Sequence, residues 1–219
     1  MIIVGICGGS GSGKSTFAER IRDGLSCSCE IMRLDCYYFD QGGKPFEERT
    51  KVNYDSPEIF DFDEMLADIR LLLDGKPVTR KGYNYAEHRR DDSEELMYPP
   101  EVLIIEGIHV FYDDRICDIM NLKLFIKVDS DICLLRRIAR DMNERGRSLE
   151  SISEQYKATV KPMREKYIDK YIDKADVVVM RGGMNEQALK TTISYLKSCV
   201  KEQRLAESEK NESDGNDSE

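Results

Sequence analysis

Ile2-Ile3-Val4-Gly5-Ile6-Cys7 runs straight into Gly8-Gly9-Ser10-Gly11-Ser12-Gly13-Lys14-Ser15-Thr16. A continuous apolar run rich in β-branched side chains reads as a strand covered on both faces. The glycine-rich segment satisfies G-x-x-x-x-G-K-[ST], with Gly8, Gly13, Lys14 and Ser15 at the fixed positions. The chemistry explains that composition. Phosphate oxygens sit among backbone N–H groups, and glycines let the chain wrap closely where φ must be positive. The helix that follows aims its first N–H groups and its dipole at the anion. Lys14 is suited to reach the β- and γ-phosphates, and Ser15 to hold Mg²⁺. The whole segment from Gly8 to Thr16 is therefore a nucleotide-binding candidate. The loop alone does not separate a kinase from a GTPase or a motor.

Outward from this loop, short apolar runs alternate with helical patterns. Strands are predicted at 2–7, 30–34, 102–105, 122–128 and 176–180, and helices at 14–25, 62–73, 131–142, 149–167 and 185–202. This alternation predicts an α/β fold, a P-loop NTPase-type parallel sheet flanked by helices. Two stretches interrupt it: a turn-rich charged segment at 40–57, and a hairpin-like insertion at about 75–100 with prolines at 77, 99 and 100. Both are long enough to carry function. The reading is one domain over 1–205, with an arginine-rich lid at about 136–150, followed by an acidic tail at 206–219 expected to be disordered.

The chain has 219 residues, with 33 Lys+Arg against 42 Asp+Glu, a net charge of −9. The tail holds −5 of this, leaving the remainder only mildly acidic. Such a balance argues against a nucleic-acid partner. No apolar run approaches the roughly 20 residues of a membrane-spanning helix, and the N-terminus lacks a secretory pattern. The seven cysteines do not have zinc-site spacing and read as reduced thiols, which points to a cytoplasmic location.

Other candidates follow from strand ends, which face the ligand crevice in an open parallel sheet. Asp35 follows the second strand, where a carboxylate can accept the proton of an attacking hydroxyl or help hold a metal. Glu106 ends the strand at 102–105, in the place of a metal-holding Walker-B acid. On the helix at 131–142, Leu135, Ile138, Ala139 and Met142 share one face and Arg136, Arg137 and Arg140 the other. With Arg145 and Arg147 these make five arginines in twelve residues, suited to neutralise a transferring phosphoryl group.

Together these motifs closely resemble the uridine–cytidine kinase family, especially its bacterial members, from Ile3 to about Lys197. The resemblance rests on Gly8–Thr16, Asp35-Cys36-Tyr37-Tyr38, Asn53-Tyr54-Asp55-Ser56-Pro57 and Tyr83-Asn84-Tyr85-Ala86-Glu87-His88. Glu106-Gly107-Ile108, Arg137-Ile138-Ala139-Arg140-Asp141, Glu144-Arg145-Gly146-Arg147, Gln155-Tyr156 and Lys161-Pro162 complete it. It implies ATP-dependent phosphorylation of the 5′-hydroxyl of uridine or cytidine, with GTP as an alternative donor. Asp35 would then be the general base, aided by Lys14 and Arg140. Asp55 would bind ribose hydroxyls with Arg137, Arg147 and Gln155; Tyr83 and His88 would read the pyrimidine, with Tyr54 and Tyr85 packing around it. ATP and Mg²⁺ would be served by the loop and Arg145, the metal by Ser15, Glu106 and Asp35. The family also implies a homotetramer and feedback inhibition by CTP. One departure stands out: family members commonly carry Pro before the tyrosine matching Tyr83, where this chain has Lys81-Gly82, which predicts a looser strand. His109 matches no functional position and is expected to be packing.

Two rivals are weaker. A kinase of another sugar-like substrate, such as ribulose 5-phosphate, would want a further anion site and leave the segment at 83–88 without a purpose. A GTP-dependent switch would need an Asn-Lys-x-Asp element, which the chain lacks.

Overall fold

The computed structural model describes the backbone of residues 1–216 and the side chains of residues 1–209. In chain order the elements are β1 (Ile2–Cys7), α1 (Lys14–Gly24), β2 (Cys29–Arg33), α2 (Phe46–Arg49), α3 (Phe62–Leu73), β3 (Val78–Asn84), β4 (Arg89–Met97) and β5 (Val102–Gly107). Then come α4 (Asp114–Cys117), β6 (Leu122–Lys127), α5 (Ser130–Arg145), α6 (Leu149–Gln155), α7 (Lys161–Lys166), β7 (Val177–Met180) and α8 (Glu186–Asn216). Five strands form a parallel sheet in the order β2-β5-β1-β6-β7. The central strand β1 is buried along its whole length, as its unbroken apolar run requires. Its side chains alternate between two cores. Ile2, Val4 and Ile6 pack with Phe17 and Ile21 of α1 and Leu196 of α8. Ile3 and Cys7 pack on the other face with Met65, Ile69 and Leu72 of α3.

The predicted insertion is a two-stranded antiparallel hairpin of β3 and β4, separate from the main sheet. Val78 and Met97 anchor its base in the core. Two arginines tie it down further: Arg80 Nη1 donates to the Ile31 carbonyl of edge strand β2 (2.8 Å), and Arg90 Nε to the Tyr38 carbonyl (2.8 Å). The register shifts between Lys81 and Tyr83, so Gly82 sits at a bulge.

Two helices carry features that the pattern left open, and one expectation is corrected. The helix predicted over 149–167 runs without a gap through α6 and α7, with a π-helical turn at Tyr156–Val160 between them that the pattern did not show. Pro162 explains it, because proline has no N–H to donate and its ring crowds the carbonyl four residues back. Next, α5 is inverted relative to an ordinary amphipathic helix. Arg137 and Asp141 are buried, whereas Leu135 is 62% exposed and Met142 47%. Finally, the tail expected to be disordered is helical as far as Asn216; positions 217–219 lie outside the described residues. Leu189, Leu196 and Val200 nucleate α8 against the sheet, and extending a formed helix through Lys201-Glu202-Gln203-Arg204-Leu205-Ala206 costs little, whereas the Ser, Asn, Asp and Gly beyond Glu207 favour it less. An i,i+4 hydrogen bond from Gln203 to Glu207 (2.9 Å) supports that extension. Among the described residues, no helix is long and apolar enough to cross a membrane.

Candidate active site

The glycine loop leaves β1 at its carboxyl end and is held open by close packing. Gly11 has φ +82°, and a Cβ there would lie 2.3 Å from the Cys133 carbonyl oxygen. Gly13, at φ +91°, is the N-cap of α1 and supplies no side-chain cap, so the first-turn N–H groups stay available to an anion. Ser10, Lys14 and Ser15 line a cavity of about 250 Å³, whereas Gly8, Gly9, Gly11, Ser12, Gly13 and Thr16 shape the loop beside it.

Three carboxylates converge on this cavity from different elements. Glu106, from the end of β5, is 5% exposed and accepts a hydrogen bond from Ser15 Oγ (3.0 Å). Burial raises its carboxyl, and Lys14 opposes that shift. Arg33 Nε lies 3.8 Å from the same carboxylate. Asp35 sits in the tight turn Leu34–Tyr37 that follows β2, where Tyr85 Oη donates to its Oδ2 at 2.5 Å. Burial and the Asp35 charge raise the Tyr85 phenol far above its ordinary value, so it acts as the donor. Asp55 is 7% exposed, accepts from Thr159 Oγ1 (2.9 Å) and faces Arg137 at 3.8 Å. Burial raises its carboxyl, with Arg137 and Thr159 opposing.

One wall of the cavity is aromatic. Tyr38 stacks on Phe60 and contacts Tyr83 (centroids 4.4 and 4.7 Å), and Tyr54 stacks on His88 at 5.1 Å. Two polar groups on this wall could meet a ligand. The buried Tyr83 hydroxyl has no hydrogen-bond partner among the described residues. His88 closes the hairpin loop at φ 50°, and burial together with Arg147, Arg49 and Arg145 lowers its imidazole, keeping it neutral near pH 7. A neutral imidazole can both donate and accept, as the edge of a heterocycle requires.

Arg137, Arg140, Arg145 and Arg147 line the opposite side with Gln155, which accepts from Arg137 (2.9 Å) and Arg147 (2.5 Å). Arg136 does not reach the cavity. Sequence reasoning missed what holds the arginines together. Asp141, fully buried, lies 2.8 Å from Arg140, 3.5 Å from Arg137 and Arg145, and 3.6 Å from Arg147. Its carbonyl also accepts from Arg147 N–H (3.1 Å), closing the end of α5. The signal was one acid at the arginine spacing of a charged helix face. Asp141→Asn keeps the size but removes the charge that four guanidinium groups share, and should cost about 3 kcal/mol of stability. Urea unfolding measures this; an unchanged midpoint would remove Asp141 as the centre of the cluster.

Two further residues were not legible as functional. Thr159 reaches Asp55 from the π-helical turn. His109 is packing, as expected, but it also positions Asp55. Its Nε2 lies 2.7 Å from the Asp55 carbonyl and its Nδ1 2.9 Å from Tyr171 Oη. A carbonyl only accepts, so Nε2 carries the proton and Nδ1 accepts from Tyr171. Burial lowers this imidazole to about 4, which keeps it neutral.

The chain matches the model of the "Phosphoribulokinase / Uridine kinase family" over residues 3–188. It is 42% identical over 201 residues to a protein named uridine kinase from Ligilactobacillus salivarius, covering 91% of this chain and 94% of that one. It is 41% identical over 204 residues to the uridine kinase of Streptococcus gordonii, covering 93% and 97%. Among solved structures, the phosphoribulokinase of Rhodobacter spheroides shares the fold with a TM-score of 0.61 at 16% identity, covering 82% of this chain and 69% of that one.

Proposed function

The chain belongs to the phosphoribulokinase/uridine kinase family, and from that premise we propose that it transfers the γ-phosphoryl group of ATP to the 5′-hydroxyl of uridine or cytidine. The observation that carries this reading is that one cavity contains both ends of such a reaction. The phosphate loop and Asp35 lie at one end, and Asp55 with the Tyr83–His88 wall at the other.

In this reading Asp55, held by Arg137 and Thr159, accepts hydrogen bonds from the ribose hydroxyls. Gln155 is held between Arg137 and Arg147 at the sugar end. Tyr54 and Tyr85 pack around the pyrimidine, and His88 with the Tyr83 hydroxyl reads its edge. That placement brings the 5′-hydroxyl to Asp35. The 5′-oxygen then forms a bond to the γ-phosphorus as the bond from that phosphorus to the β,γ-bridging oxygen breaks. The hydroxyl proton passes to Asp35. Lys14, Arg140 and Arg145 stabilise the charge on the transferring oxygens, and the arginine lid excludes water. Ser15 and Glu106, with Asp35 nearby, present the hard oxygen donors that suit Mg²⁺, which takes one or two carboxylates plus phosphate oxygens. Bound there, Mg²⁺ would neutralise charge on the β- and γ-phosphates.

A ribulose 5-phosphate kinase would leave the aromatic wall without a ligand. Family resemblance further implies a cytoplasmic enzyme that self-associates and is inhibited by CTP. The exposed Leu135 and Met142 of α5 are compatible with self-association.

An ADP-release assay over uridine, cytidine, adenosine and ribulose 5-phosphate tests the reading: turnover is expected with the pyrimidine nucleosides. Absence of turnover with both would overturn it. His88→Ala should weaken uridine by about tenfold in kcat/KM, the worth of one hydrogen bond in a desolvated site, with the KM for ATP unchanged. An equal loss for ATP would remove His88 from the nucleoside base.

A further inference from the structure

Tyr85 links the arginine lid to Asp35 through two contacts that differ in kind. Its hydroxyl donates to Asp35 Oδ2 at 2.5 Å. The guanidinium carbon of Arg145 lies 4.0 Å from the centre of its ring, a cation–π contact. Arg145 is the last residue of α5 and pairs with the buried Asp141 at 3.5 Å, so it is held within the arginine cluster. Asp35, in contrast, belongs to the turn after β2, and Tyr85 to the hairpin loop. These three elements are far apart in sequence and meet at this site.

We propose that Tyr85 is a positioning residue that aims the Asp35 carboxylate and makes that aim depend on the lid. The proposal rests on the reading of Asp35 as the base in the reaction above. With Oδ2 held by the phenol, Oδ1 is the oxygen left to face the substrate hydroxyl. A proton acceptor works efficiently only when held within hydrogen-bond reach and alignment of its donor. The ring stands edge-on to Tyr83 (centroids 5.1 Å, 79°), which fixes it from the side. Arg145 then loads its face. Arrival of the lid arginine and alignment of the carboxylate are therefore a single packing event. This differs from a role for Tyr85 in packing around the pyrimidine, which would need the ring but not the hydroxyl.

Steady-state kinetics on the full chain test this. Tyr85→Phe keeps the ring and its contact with Arg145 and removes only the hydroxyl. It should lower kcat about tenfold, the worth of a hydrogen bond to a charged group, with the KM for uridine and ATP within about twofold of wild type. The melting temperature should be unchanged. In an Arg145→Gln background the link is already broken, so Tyr85→Phe should lower kcat by distinctly less. A normal kcat for Tyr85→Phe beside an active wild type overturns the proposal, as does a raised or lowered uridine KM at unchanged kcat. Strictly additive effects with Arg145→Gln overturn the lid link. A wild type that turns over neither pyrimidine nucleoside overturns the functional reading itself.

Discussion

Asp35→Asn is expected to lower kcat by about 10²–10⁴-fold while ATP still binds. The substitution is nearly isosteric and leaves an oxygen able to accept from the Tyr85 hydroxyl at the Asp35 site. The phosphate loop, Lys14, Ser15 and Glu106 are untouched, so donor affinity should change by less than about twofold if Asp35 acts on the acceptor hydroxyl. What is lost is the proton acceptor. An amide has negligible basicity, so the attacking oxygen must bond to phosphorus with its proton still attached. A single-turnover measurement with saturating ATP and uridine isolates this step. Near-normal chemistry in the variant would remove Asp35 from the role of base. A large rise in KM for ATP with kcat preserved would assign it to the metal instead.

Asp55→Ala is the second large effect. The expected result is a fall of about 10²–10³-fold in kcat/KM for the nucleoside, the usual cost of truncating one partner of a buried, hydrogen-bonded charge pair. Asp55 offers its carboxylate inside the cavity while Arg137 and Thr159 hold it and His109 fixes its backbone carbonyl. Truncation removes the acceptors for the ribose hydroxyls and leaves the buried Arg137 without one of its acids. Asp141 remains as the other, 3.5 Å from Arg137, so the lid should persist. The loss should therefore fall on nucleoside KM, with ATP KM changed little. The test is a pair of KM values with both substrates varied. Equal losses for both would mean that the arginine cluster had collapsed, and that Asp55 acts through structure.

The same distinction between side-chain identity and side-chain environment decides what could be foreseen from the residues. The β1–loop–α1 unit was legible because its information is local. A six-residue strand, the four loop glycines and Lys14-Ser15 dictate strand, turn and helix within fifteen positions. The strand-end acids Asp35 and Glu106 were legible because a parallel sheet turns every strand end toward the same crevice. The orientation of α5 was not. Its periodicity defines two faces but not which one turns inward, and burial of Arg137 is tolerable only because Asp141, Asp55 and Gln155 meet it. Two of those acceptors lie outside α5. The π-helical turn before Pro162 carried a local signal, yet the use made of it, Thr159 reaching Asp55 across 104 positions, did not.

By itself, the sequence determined the fold class, the place of the phosphate loop and the residues able to do acid–base and phosphate chemistry, since each depends on short-range pattern and residue type. Tertiary structure alone decided which of those groups meet. Tyr85 hydrogen-bonds Asp35, Asp141 gathers four arginines, and His109 steadies Asp55. Such contacts join residues from separate elements, and their strength comes from burial and mutual distance, which exist only once the chain has packed.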